Sequence, residues 1–120
     1  MYESGEDYLE AILMIQLEKG ECHSVDVAHK LEVSKPSVSR AMGILRDDGY
    51  IFFDEKQHIN FTEKGKAKAE DILGRHKLLT RFMMKIANVD EAQAEKNACR
   101  VEHCIDDDIV EGIRLWMEKN

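Results

Sequence analysis

A single proline stands among the 120 residues, and no apolar run approaches the roughly 18 residues of a membrane span. Internal repeats, low-complexity tracts and flexible linkers are also absent. That excludes fibrous and disordered classes and leaves a folded, helix-rich chain of one domain or a compact pair. The opening residues, Met1 to Asp7, have neither the basic nor the apolar region of a secretory signal, so a cytoplasmic location and no membrane partner are expected. Three cysteines are an odd number and do not suggest a disulfide framework, so Cys22, Cys99 and Cys104 are read as thiols. Positive charge is in short supply: 17 Lys and Arg face 24 Asp and Glu, a net charge of −7. This disfavours a DNA-packaging role, but the deficit is uneven. Residues 35–68 hold seven bases against five acids, leaving ten bases against nineteen acids elsewhere. An acidic body with a slightly basic middle must hold its carboxylates away from phosphate or neutralise them.

Apolar spacing predicts a first helix over 4–19, with Ser4 and Asp7 as a capping box and a stripe of Leu9, Ile12, Leu13, Gln16 and Leu17. Ser24 is read as the cap of a second helix through Leu31, and Ser34 as the cap of a third, with Pro36 in its first turn and Gly49 closing it. The period then changes. Residues 50–53 and 58–61 are β-branched and aromatic around the polar run 54–57, which predicts a hairpin. Thr62 caps a long fourth helix to about Ala87, Asp90 a fifth to about Cys104, and Asp106 or Asp107 starts a sixth. The expected fold is mainly α with a small β-hairpin: a winged helix-turn-helix over residues 1–70, followed by an all-helical domain over 71–120.

In a winged helix-turn-helix the third helix enters the major groove. Its outward residues here are Lys35, Pro36, Ser37, Ser39, Arg40 and Gly43, small or basic, so the backbone can approach DNA closely. Ser37 and Ser39 suit phosphate or base edges, Arg40 guanine or phosphate, and Lys35 lies near the entry. Lys56, Gln57 and His58 occupy the wing tip, within reach of neighbouring phosphates. The expected partner is double-stranded operator DNA.

The heptapeptide Ala98-Cys99-Arg100-Val101-Glu102-His103-Cys104 carries the chemistry. On a helix, Cys99, Glu102 and His103 stand at i, i+3 and i+4 and share a face. Thiolate, carboxylate and imidazole within one turn form a ligand set for a divalent transition metal. The spacing alone fits equally a buried thiol beside a surface Glu–His pair. Further donors are Asp7 and Glu10, at i and i+3 on the first helix, and His76 midway along the fourth.

Four segments together resemble a known family: Glu6-Asp7-Tyr8-Leu9-Glu10, the stretch Ser34 to Ser39, Leu73 to Leu79 with Arg75-His76, and Ala98-Cys99-Arg100 with Glu102-His103. The chain resembles the metalloregulatory repressors typified by the diphtheria toxin repressor and the manganese transport regulator. The resemblance implies a homodimeric, metal-activated repressor of metal-homeostasis genes. It implies a main metal site of Asp7, Cys99, Glu102 and His103, with Glu10 and His76 as donors to a second site in the manganese-type manner. Glu95 falls where iron-type members place a second-site histidine, and Thr80 replaces a carboxylate that assists there. The aspartate is manganese-like and the cysteine iron-like, so Fe2+ or Mn2+ is the expected activator, with Zn2+ or Co2+ binding in vitro. The chain stops at Asn120, which matches the shorter, two-domain form without an SH3-like third domain. Ile109, Ile113, Trp116 and Met117 give the last helix an apolar side suited to dimerisation. The alternative is a winged-helix regulator answering a non-metal signal such as thiol oxidation; Cys99 and Cys104 lie too far round a helix to bridge. An enzyme using Cys99 and His103 lacks an oxyanion arrangement and is not expected.

Overall fold

The structure, a computed structural model, describes residues 3–120. Its elements run α1 (Glu3–Lys19), α2 (Ser24–Leu31), α3 (Lys35–Asp47), β1 (Ile51–Phe53), β2 (Ile59–Phe61), α4 (Glu63–Ala87), α5 (Glu91–Val101) and α6 (Asp107–Lys119). The chain divides into two units, one ending at Glu70 and the other running from Asp71 to Asn120. None of the described helices is long and apolar enough to cross a membrane.

In the first unit α1 packs on α2 and α3. Leu9, Ala11, Ile12, Leu13 and Ile15 are all buried, so α1 is a central helix and not a one-sided surface one. The single stripe read from the sequence therefore needs correcting: Ile15 belongs to the core, and Leu17 is 67% exposed. Val27, Val38, Met42 and Leu45 complete the packing from α2 and α3.

Polar side chains set the ends of these helices. Ser34 accepts a hydrogen bond from the Ser37 amide at 3.2 Å and starts α3 as expected. The start of α2 differs by one residue. His23 is its N-cap, and its amide donates to the Asp26 carboxylate at 2.9 Å, so Ser24 is already helical. That amide hydrogen bond, with help from Lys19, holds the Asp26 carboxyl below its ordinary range.

Strands β1 and β2 are antiparallel, pairing Ile51 with Phe61, Phe52 with Asn60 and Phe53 with Ile59. Ile51 and Ile59 face the core. Asp54 organises the wing turn: its Oδ1 accepts the amides of Lys56 and His58, each at 2.9 Å, and its Oδ2 accepts Asn60 Nδ2 at 3.2 Å. The His58 amide is the main reason the Asp54 carboxyl sits below its ordinary range. Gln57 takes a φ of 64° to close the turn. Two main-chain and side-chain bonds tie β2 inward, from Ile59 N to Cys22 O at 2.7 Å and from Gln16 Nε2 to Ile59 O at 3.0 Å.

The start of α4 leans directly on the wing. Thr62 Oγ1 donates to Gly49 O at 2.6 Å and accepts the Gly65 amide at 3.0 Å. A Cβ on Gly65 would stand 1.8 Å from the Tyr50 carbonyl oxygen, a backbone atom that cannot give way. Gly65→Ala is therefore expected to destabilise the protein by about 2–3 kcal/mol, as strained overpacking does. Urea unfolding of the two proteins checks this, and an unchanged midpoint would refute the close approach.

Cys22 is fully buried, its S–H directed to the His23 carbonyl at 3.7 Å, and burial, followed by the nearby Asp26 charge, pushes its thiol up to about 12. Cys99 and Cys104 are exposed. In chelator at pH 8, iodoacetamide is expected to label two thiols per chain and the third only on unfolding, read by intact mass. The neutral Cys22 thiol stabilises the fold fully below pH 9, and that contribution declines as pH rises toward 12.

In the second unit, Ile72, Leu78 and Leu79 of α4 are buried, as are Ala94 and Ala98 of α5. Asn88 leaves α4 with a φ of 54°, and Asp90 caps α5 by accepting the Gln93 amide at 2.8 Å. Helix α5 ends at Val101, three residues earlier than the periodicity suggests. Cys104 N donates to Val101 O at 2.9 Å, the tighter i to i+3 spacing of a closing turn. Helix α6 contains no buried residue; Ile109 is 54% and Leu115 45% exposed.

Candidate metal centre and DNA-reading surface

The turn that ends α5 places a carboxylate where carboxylates are seldom found. Glu102 is the C-cap of α5 and is 1% exposed. Its Oε2 lies 2.8 Å from Nδ1 of His76 on α4, and its Oε1 lies 3.2 Å from Nε2 of His103. The His103 ring is itself 1% exposed. Oε1 accepts no hydrogen bond despite the nearby imidazole, an arrangement that leaves a buried anion incompletely satisfied. Burying a carboxylate costs several kcal/mol unless a positive charge compensates. A buried carboxylate with one imidazole at each of its oxygens offers donors of the kind divalent transition metals take.

Arg75, one residue before His76, holds the turn in place. Its Nη1 donates to the carbonyls of Glu102 at 3.2 Å and Ile105 at 3.0 Å, and its Nη2 pairs with Asp107 at the start of α6. One side chain thus joins α4, the α5 terminus and α6, and fixes where Glu102 points. Sequence reading assigned Arg75 no role. A lone arginine beside a histidine carries no signal of bonding to carbonyls thirty residues away.

Thr80 donates its hydroxyl to the His76 carbonyl at 2.8 Å and is buried, so it is occupied within α4. Glu95 shares a surface groove with His76 and Thr80. Cys99 is exposed in the last turn of α5 and belongs to no three-donor group among the described residues. In the first unit, Asp7 and Glu10 lie three residues apart on α1, Asp7 half-buried and Glu10 8% exposed.

On α3, Lys35, Pro36, Ser39 and Arg40 are exposed over a buried Val38, Met42 and Leu45. The Ser37 hydroxyl accepts from Ser34 Oγ at 2.9 Å, so part of its capacity goes to the helix cap. Lys56 is exposed at the wing tip. His58 is turned elsewhere: its Nε2 is 3.1 Å from Glu21 and its Nδ1 3.2 Å from Asp54.

A winged helix-turn-helix followed by a helical unit that buries a carboxylate between two imidazoles is the build of a metal-responsive, DNA-binding regulator. Two family models match the chain: the iron dependent repressor N-terminal DNA binding domain over residues 1–59, and the iron dependent repressor metal binding and dimerisation domain over residues 62–119. The chain belongs to the diphtheria toxin repressor family of metal-dependent transcriptional repressors. It is 33% identical over 120 residues to an HTH-type transcriptional regulator of Methanocaldococcus jannaschii, covering 99% of this chain and 96% of that one. It is 36% identical over 110 residues to the HTH-type transcriptional regulator MntR of Shouchella clausii, covering 92% and 76%. Among solved structures, the manganese regulator SloR is similar with a TM-score of 0.84 at 25% identity, over 97% of this chain and 54% of that one. The metal-dependent transcriptional regulator MtsR is similar in fold, with a TM-score of 0.87 at 24% identity over 95% and 53%. The chain spans about half the length of these two structures.

Proposed function

We propose that this chain is a homodimeric repressor that binds double-stranded operator DNA when loaded with Fe2+ or Mn2+, and so controls genes of metal-ion homeostasis. The observation that carries the reading is the Glu102 carboxylate, shut away from water between His76 and His103 with one oxygen accepting no hydrogen bond. Asp7, Cys99, Glu102 and His103 are assigned to the main metal site, and Glu10 and His76 to a second, as the family resemblance implies. A set mixing carboxylate and thiolate serves Fe2+ and Mn2+, and Zn2+ or Co2+ binds at least as tightly by intrinsic affinity.

Residues 1–70 read DNA through α3 and the wing, with Lys35, Pro36, Ser37, Ser39, Arg40 and Lys56 in contact; residues 71–120 hold metal and dimerise. The donors of α1, α4 and α5 come together only when those helices are docked, so bound metal favours the docked arrangement. A dimer reading a palindrome must space its α3 helices about 34 Å apart, one turn of DNA. Raising the fraction of molecules with that spacing is a population shift. Two divalent ions per chain would also bring the charge of −7 toward about −3 before proton release, easing approach to phosphate. The thiol-oxidation alternative is not favoured by the family to which the chain belongs.

Gel retardation on the chain's own upstream DNA tests the proposal. Mn2+ or Fe2+ is expected to create a retarded complex that chelator removes. Arg40→Ala is expected to weaken that complex by about 10-fold or more, the worth of one good base or phosphate contact, with metal uptake unchanged. Metal-indifferent retardation would reject the proposal.

A further inference from the structure

The segment between α1 and α2 runs extended beside the wing. Cys22 pairs its carbonyl with the Ile59 amide of β2 and turns its side chain into the core. Its neighbours Glu21 and His23, at i and i+2 around it, therefore emerge together on the opposite face. His58 precedes the buried Ile59 and emerges there too. The three residues meet: their candidate ligand atoms all lie within 4.8 Å of one another, and the two imidazole rings stand edge to face with centroids 4.5 Å apart.

The surroundings are those of a ligand set and not of a chance contact. His58 Nδ1 lies 3.2 Å from Asp54 Oδ2, the carboxylate that the wing's own amides hold in place. With Nδ1 turned toward Asp54, Nε2 is the ring nitrogen left for a metal. That Nε2 lies 3.1 Å from Glu21 Oε2. Asp26 lies 3.5 Å from Nδ1 of His23. The set is two nitrogens and one oxygen, partly exposed. That composition suits Zn2+, Co2+ or Ni2+ better than the harder Mn2+.

We propose that Glu21, His23 and His58 form a separate site for a zinc-class divalent cation, which clamps the wing to the segment between α1 and α2. No group in it is shared with the Glu102 site, and the site stands whether or not the chain represses in response to metal.

Zinc titration of the full-length chain, followed by calorimetry and by the histidine ring resonances, tests it. The wild-type protein is expected to take up one more Zn2+ per chain than the His23→Gln/His58→Gln protein. In Glu102→Gln, where the other site is disabled, Zn2+ is expected to shift the His23 and His58 resonances. Glu21→Gln, a change at an exposed side chain, is expected to weaken that shift's apparent affinity about 10-fold. Equal zinc stoichiometry in the folded double variant, or His23 and His58 rings unmoved by saturating Zn2+ in Glu102→Gln, would overturn the site in favour of a hydrogen-bonded His–Glu pair. Should the double variant not fold, the ring resonances and Glu21→Gln decide between the two.

Discussion

Glu102→Gln is expected to abolish metal-stimulated operator binding while leaving the metal-free protein as stable as the wild type or more so. The two halves of this result come from one feature. Glutamine has the shape of glutamate and keeps an acceptor for His76, now 2.8 Å away, but brings no charge into a site that is 1% exposed. Removing a buried carboxylate relieves its desolvation, so nothing is lost from the metal-free fold. As a metal ligand the neutral amide is far poorer, and affinity should fall by about 100-fold or more, at least what losing a supporting outer-shell group costs. An ion at 100 times its dissociation constant stabilises the native state by about 2.7 kcal/mol, worth roughly 10 °C in melting temperature for a chain of this size. Thermal melts with and without Mn2+ should show that rise in the wild type and none in the variant. A purely structural Glu102 predicts the opposite: a lower melting temperature without metal and an undiminished rise with it.

Much of this architecture is visible in the residues themselves, because local rules set it. The caps Ser34 and Asp90, Pro36 in the first turn of α3, and the switch to β-branched and aromatic residues at 50–53 and 58–61 each act over a few positions, and the structure follows them. Where tertiary contacts decide, local reading falls short. His23 replaces Ser24 as the cap of α2 because its amide finds Asp26. Ile15 is buried and Leu17 exposed because α1 is packed on more than one side. The heptapeptide Ala98 to Cys104 was legible as a donor cluster, since spacing on a helix is a local property. Its geometry was not, since α5 stops at Val101 and Arg75 reaches in from another helix to hold the turn. His58 illustrates the same limit. In sequence it is a basic residue at a wing tip; in space it is directed at Glu21 and Asp54, which only the pairing of β2 with Cys22 brings near.

The other large effect is expected at α6. Thirteen residues long, it contains no buried side chain, and it offers Ile109 and Leu115 at 54% and 45% exposure beside Trp116. Trp116 meets Phe82 of α4 edge to face with centroids 5.7 Å apart, which orients one side of the helix without covering it. Apolar surface of this extent on a terminal helix is stable when a second copy covers it, and the family model over residues 62–119 is of a dimerisation domain. Ile109→Glu with Leu115→Glu is therefore expected to yield a monomer in sedimentation velocity, at concentrations where the wild type is expected to sediment as a dimer. Both substitutions lie on exposed positions, so the melting temperature extrapolated to low concentration should hold. Operator affinity should then fall by about 100-fold or more, because joining two half-site readers supplies an effective concentration that separate chains lack. Metal uptake at Glu102 should survive in the monomer, since His76, Glu102 and His103 come from a single chain. A doubly substituted protein that remains dimeric would move the dimer contact away from α6.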